Sequence, residues 1–321
     1  MKLKFVAFSI LGISAVFSCT KSDLTSPKEA EIIVQAGVAQ TRAGYDEDIL
    51  PESFVMDILQ NSDSDYDYKS VLMNKDGDRY VPNLNRMVWA GTQYSSVDVK
   101  AMTIPFGMSA ADVNDQNTLV VTVSQDQNYE ANLLASDLLV ANDGDITVYD
   151  SKININFKHL MSKLEIKCVY GSTLNSGNVT IHSVALKNVC VSGGYSYADM
   201  SIQPDYMPQA GDISMLVDES GENPVFEAIF FPYVPSENPV LEVVATVENE
   251  MRTLNCRIAP KTEVGFVSGR RYTMTVTING AAIAPSSISI DSEWGVGNED
   301  DDFNLDFGAD MEMGEDVFIT D

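Results

Sequence analysis

The chain has 321 residues, of which 45% are hydrophobic, and its formal net charge is −27. This length suits two domains of ordinary size, and the apolar fraction excludes disorder throughout. Such a charge repels polyphosphates and anionic lipid surfaces, which excludes nucleic acid as a partner. It serves either solubility or the binding of cations.

Residues 1–18 read as a signal peptide. Lys2 and Lys4 form a short positive start, and residues 3–17 form an apolar run too short for a stable membrane span. The run ends in Val16-Phe17-Ser18-Cys19, which resembles a lipobox, with Phe17 bulkier than the strict pattern. Cys19 is then the lipidated first residue of the mature chain, and residues 19–30 are a polar tether. Acyl chains on Cys19 are the expected anchor to the outer membrane, since no later stretch reads as a membrane-spanning helix.

Beyond the tether, period-two alternation dominates. Ile32, Val34, Ala36 and Val38 share one face of a first strand. Leu164, Ile166, Cys168 and Tyr170 share a face opposite Glu165 and Lys167. Leu241, Val243, Ala245 and Val247 alternate, Glu248-Asn249-Glu250 turns the chain, and Leu254, Cys256 and Ile258 return it as a hairpin. Tyr272, Met274, Val276 and Ile278 alternate with threonines, and Ile288, Ile290 and Trp294 form a further short strand. Helical periodicity is confined to a turn or two over residues 132–139. Short strands separated by Gly, Pro, Asn and Asp predict an all-β chain of two sandwiches, over residues 31–149 and 150–297.

Catalytic chemistry has little to work with. The two histidines are His159, on a face with Ile155 and Phe157, and His182, on the polar face of its strand. His159 reads as a core or inter-domain histidine. No nucleophile elbow, zincin helix, P-loop or dinucleotide fingerprint occurs. Asp63, Asp65 and Asp67, and Asn74, Asp76 and Asp78 around Gly77, offer alternating oxygens to a calcium ion. Neither stretch has a twelve-residue loop closed by Glu, and Asp-rich turns are ordinary hairpin chemistry. Neither a metal nor a cofactor is therefore assigned. After Cys19, three cysteines remain (Cys168, Cys190 and Cys256), each within an apolar alternation that suggests a buried thiol. A Cys168–Cys190 bridge is left open.

Residues 298–321 form an acidic tail without Lys or Arg. Phe303, Leu305 and Phe307 alternate there with Asp302, Asn304 and Asp306, and Val317 and Ile319 repeat the spacing. The tail is either solvated or a donor strand with one apolar face.

Several segments together resemble the Bacteroidales fimbrillin-like proteins. Phe157, His159, Ser162, Lys163 and Leu164 fit that family's F-x-H-x-x-S-K-L signature, and Asp137-Leu138-Leu139-Val140-Ala141 fits the run before it. Residues 180–188 are similar to its next strand, residues 269–276 to its late G-x-x-Y-x-x-x-V strand, and residues 288–295 to its closing I-x-x-W-G turn. Residues 32–43 are similar to a first strand ending in T-R-A. The resemblance implies two tandem transthyretin-like β-sandwiches, export as a lipoprotein and assembly into surface fimbriae. In shaft-type members of that family an arginine-specific protease cuts after the first strand, and a strand from another subunit fills the groove. If this chain polymerises as they do, the cut falls between Arg42 and Ala43, whereas an anchor or tip subunit would stay uncut. The long acidic tail departs from shaft subunits and leaves shaft, anchor and tip all open.

The function expected is that of a structural and adhesive fimbrial subunit, not an enzyme. Its partners would be other fimbrial subunits, the outer membrane through the lipid, and a host or bacterial adhesion receptor. The alternative is a monomeric surface lipoprotein binding a glycan or host ligand. Denaturant-resistant ladders with partners distinguish the first from the second.

Overall fold

A computed structural model describes residues 31–38, 50–60, 64–90, 96–114, 117–147, 152–258, 265–280 and 282–291. The chain is all-β in these residues, with one seven-residue α-helix among them. Strands β1 (Ile33–Val38), β2 (Ser53–Gln60), β3 (Tyr68–Asp76), β4 (Arg79–Pro82) and β5 (Ser96–Thr103) come first. The chain then gives β6 (Thr118–Thr122) and helix α1 (Glu130–Ser136) before β7 (Leu139–Thr147) and β8 (Lys152–His159).

Strands β1 to β5, β7 and β8 close into a barrel in the order β1-β4-β3-β2-β5-β7-β8. Alternation predicts one buried face per strand but not whether a sheet closes on itself, so the expected first sandwich is observed as a closed ring. The closing contact is the pairing of β1 with β8. Val34, Phe54, Met56, Tyr80, Trp89, Ile155 and Phe157 fill the interior.

The remaining strands are β9 (Ser162–Tyr170), β10 (Val179–Ser196), β11 (Ser201–Gln203), β12 (Gln209–Ser214), β13 (Leu216–Asp218), β14 (Val225–Phe230), β15 (Val240–Val247), β16 (Glu250–Arg257), β17 (Arg271–Asn279) and β18 (Ala282–Asp291). They form two sheets, β11-β10-β15-β16 with β12 and β6 also on β10, and β13-β14-β9-β17-β18. Leu164, Ile166, Val184, Leu186, Val243, Leu254 and Met274 are among the buried residues of their shared core. The turn expected at Glu248-Asn249-Glu250 is a two-residue hairpin loop of Glu248 and Asn249, both at positive φ, 53° and 70°, matching the twist of the flanking strands, with Glu250 already in β16.

Two segments sit elsewhere than the 149/150 divide implies. Residues Lys152–His159 pair with β1 and β7, so sheet membership changes after His159. Residues Thr118–Thr122, from the first half of the chain, pair with Ser192–Ser196 of β10. The strap of residues 104–138 thus leaves the barrel, completes part of the second unit and returns. Its Val113, Leu119, Val121, Val123 and Leu133 join the second core, together with Val55 and Met102 on the barrel wall. Alternation marks a strand without naming its neighbour, so sequence could not place β6.

Candidate strand-exchange site

The first strand carries the alternation read from sequence. Ile32, Val34 and Val38 are buried and Ala36 packs partly buried against the barrel core. Gln35 and Gly37 lie between them on the opposite face of the pleat. Each fully buried aliphatic side chain contributes about 1.5–3 kcal/mol. Around their sites stand Phe54, Tyr80 and Phe157, with the Phe54 ring 4.7 Å from Tyr80 and 5.1 Å from Phe157. The Tyr80 hydroxyl is satisfied by donating to the Pro51 carbonyl at 2.7 Å.

The backbone contacts of β1 are lopsided. Its six residues pair in parallel with β8, from Ile33↔Lys152 to Val38↔Phe157. Against β4 it has one antiparallel pair, Val34↔Tyr80. Ahead of it, the Ile32 N–H donates to the Met87 carbonyl at 2.9 Å. Withdrawing β1 would therefore bare one β8 edge and an aromatic-lined trough, the two features that recruit an extended strand.

The signature residues gather where β8 passes into β9. Phe157 ends the barrel face of β8 and Leu164 begins the face of β9 in the second core. Between them, His159 Nδ1 lies 2.9 and 3.0 Å from the two oxygens of Asp137. Both side chains are buried, in keeping with His159 as a core or inter-domain histidine. The Ser162 hydroxyl donates to the Val267 carbonyl at 2.9 Å, and the Ser268 hydroxyl to the Leu160 carbonyl at 2.7 Å. The Tyr272 hydroxyl accepts from the Val267 N–H at 2.7 Å. Gly269 has φ +69°, and a Cβ there would lie 2.9 Å from the His159 carbonyl oxygen, which accounts for the glycine of the late motif.

Lys163 stands in the signature, but neither its burial nor its partner was read from sequence. It is fully buried on the outer face of β9, with Nζ 3.0 Å from Glu227 Oε1 of β14. Burial pushes its pKa down, while Glu227, Glu165 and Asp137 pull it back up. Gln127 of the strap was missed as well. Its Oε1 accepts from the Ile229 N–H at 2.8 Å and its Nε2 donates to the Ile229 carbonyl at 2.7 Å, so the amide substitutes for a strand residue on β14. The available signal for Lys163 was a lysine at the start of a largely apolar run. No sequence signal marked Gln127.

Cys19, Arg42, Ala43, Phe303, Leu305 and Phe307 lie outside the described residues. So does Asp63; Asp67 accepts from the Gln60 N–H at 2.7 Å and Asp76 pairs with Arg79 at 3.3 Å, so these oxygens serve the hairpins. No cluster of three metal-ligating side chains occurs among the described residues. His182 is exposed and bonds Thr246 at 2.7 Å. Cys168, Cys190 and Cys256 are free and buried, so the Cys168–Cys190 bridge is not formed. Burial pushes the Cys168 thiol up to about 12 and that of Cys256 to about 11.

Among the solved structures that resemble the fold are two from Bacteroides. One is a candidate cell adhesion protein from Bacteroides uniformis, 18% identical, with TM-score 0.60 over 82% of this chain and 99% of that one. The other is a candidate cell adhesion protein from Bacteroides ovatus, 15% identical, with TM-score 0.59 over 84% of this chain and 99% of that one. No curated protein is significantly similar in sequence. Residues 53–294 match the fimbrillin-like family, and the chain belongs to that family.

Proposed function

We propose that the protein is a structural and adhesive subunit of cell-surface fimbriae, acylated at Cys19 and assembled by strand exchange in its barrel. The observation that carries this reading is the placement of β1. It closes the barrel along one edge of β8, has a single pair with β4, and ends four residues before Arg42. Cleavage between Arg42 and Ala43 would free it, and the Phe303–Leu305–Phe307 face of a neighbouring subunit would take its place. Membership of the fimbrillin-like family supports the fimbrial role. In this reading the barrel and the two-sheet unit are the tandem transthyretin-like sandwiches implied by the resemblance. The partners are other fimbrial subunits, the outer membrane through the lipid, and an adhesion receptor.

Outer-membrane fractions resolved by gel with and without boiling test the reading. Ladders that survive detergent and collapse on boiling are expected. A chain that runs only as a monomer in unboiled samples would overturn it.

A further inference from the structure

We propose that the buried Asp137–His159 pair is a latch that holds β8 in position while the barrel stands open, so that an incoming strand meets a formed edge. This inference rests on the strand-exchange reading above. The reason lies in how β8 is held. Lys152 to Phe157 pair with β1 along one edge. Along the other edge, β8 meets β7 at Leu139↔His159 and Val140↔Lys158, the two pairs between these strands among the described residues. When β1 leaves, the first six residues of β8 lose their backbone ladder. What remains is the burial of Ile153, Ile155 and Phe157 and the anchorage at the last two residues.

That anchorage is built from the strap. The His159 ring sits 2.9 and 3.0 Å from the Asp137 oxygens, with both side chains within 1% of full burial. Next to it the Leu160 N–H donates to the Leu138 carbonyl at 2.8 Å. Asp137 immediately follows α1, and the strap around that helix is fixed to the second unit. Gln127 bonds both backbone groups of Ile229, and the Ser136 hydroxyl accepts from the Ser124 N–H at 2.9 Å. The end of β8 is thus fastened to a body that β1 departure does not disturb. Asp137 and His159 are positioning residues. They touch no incoming strand, and they spare it the ordering of β8 in addition to its own.

The test uses the full chain with a sequence-specific protease site placed within residues 41–44. After cleavage, β1 is stripped in urea, the protein is refolded, and capture of a fluorescein-labelled peptide of residues 31–42 is followed by anisotropy. Wild type should capture the peptide. Asp137→Ala should capture it at least about tenfold more weakly, since ordering even one more backbone residue costs on that order. Asp137→Asn, which still accepts from the imidazole N–H, should restore capture. Val243→Ala, which destabilises the second unit away from the latch, should leave capture unchanged, a separation that a merely structural role would not give. Should Asp137→Ala fail to fold, His159→Leu removes the donor instead and should show the same loss. If the variant captures the peptide as tightly as wild type, the latch is refuted while strand exchange stands. If the opened wild type captures nothing, the strand-exchange reading falls and the latch with it.

Discussion

Replacing Glu227 by Ala leaves the Lys163 ammonium without the carboxylate 3.0 Å away, on a side chain with no exposure to solvent. Breaking a buried ion pair from one side costs about 3–5 kcal/mol, because the remaining charge keeps its desolvation penalty and loses its partner; Glu165 and Asp137 still attract Lys163, which puts the cost at the low end of that range. The reverse change, Lys163→Met, should cost less, because the Glu227 side chain retains 11% exposure and water can reach it. The double variant Lys163→Met/Glu227→Leu should fall within about 1 kcal/mol of wild type or above it, as apolar replacements of buried pairs do. Urea unfolding of the four proteins gives the cycle, with the coupling read from the non-additivity. Rising pH adds a check of sign. Burial lowers the folded-state pKa of Lys163 below its ordinary 10.5, so the unfolded chain binds more protons between the two values and stability rises with pH there. With Glu227 gone that window widens, so the deficit of Glu227→Ala should shrink as the pH climbs toward 10.5. A cost below about 1 kcal/mol for Glu227→Ala would show that Glu227 does not hold the buried charge, which water or Glu165 and Asp137 would then compensate.

Gly269→Ala should destabilise by about 1–3 kcal/mol, because it forces a side chain into the left-handed region and against the His159 carbonyl; a neutral thermal shift would contradict this. The thiols of Cys168, Cys190 and Cys256 should resist iodoacetamide at pH 8 in the folded protein and react in denaturant, and a fast native reaction at any of them would be inconsistent with their burial. Their raised pKa values favour the folded state fully below 9.0, and that contribution should be lost as pH rises toward about 11 for Cys256 and about 12 for Cys168. Clickable palmitate should label the exported protein and not Cys19→Ala; equal labelling of both would exclude acylation at that residue.

The strands were largely legible in the sequence because burial on one face writes itself as alternation. Val34, Ile166, Val243 and Met274 all point into cores as their spacing predicts. The turn at Glu248-Asn249 was legible because polar residues interrupt the alternation there, and Asn249 is of a type that tolerates positive φ. Strand neighbours were not legible. The pairing of Thr118–Thr122 with β10 depends on a partner seventy or more residues away in sequence, and the local pattern of β6 would suit any half-buried edge. The candidate site was half legible. The inward face of β1 and the burial of His159 followed from spacing, whereas the Lys163–Glu227 pair and the Gln127 clasp are contacts between distant segments that no single-strand periodicity encodes.

The central claim is that one subunit supplies the strand that replaces β1 in the next. It is tested most directly by expressing Leu305→Asp/Phe307→Asp beside the wild type and comparing unboiled outer-membrane fractions. The substitutions put charges on the apolar face of the proposed donor strand and change no residue of the barrel or its neighbouring sheets. A folded, exported monomer that no longer forms ladders is expected. Ladders of undiminished length and abundance would contradict the claim.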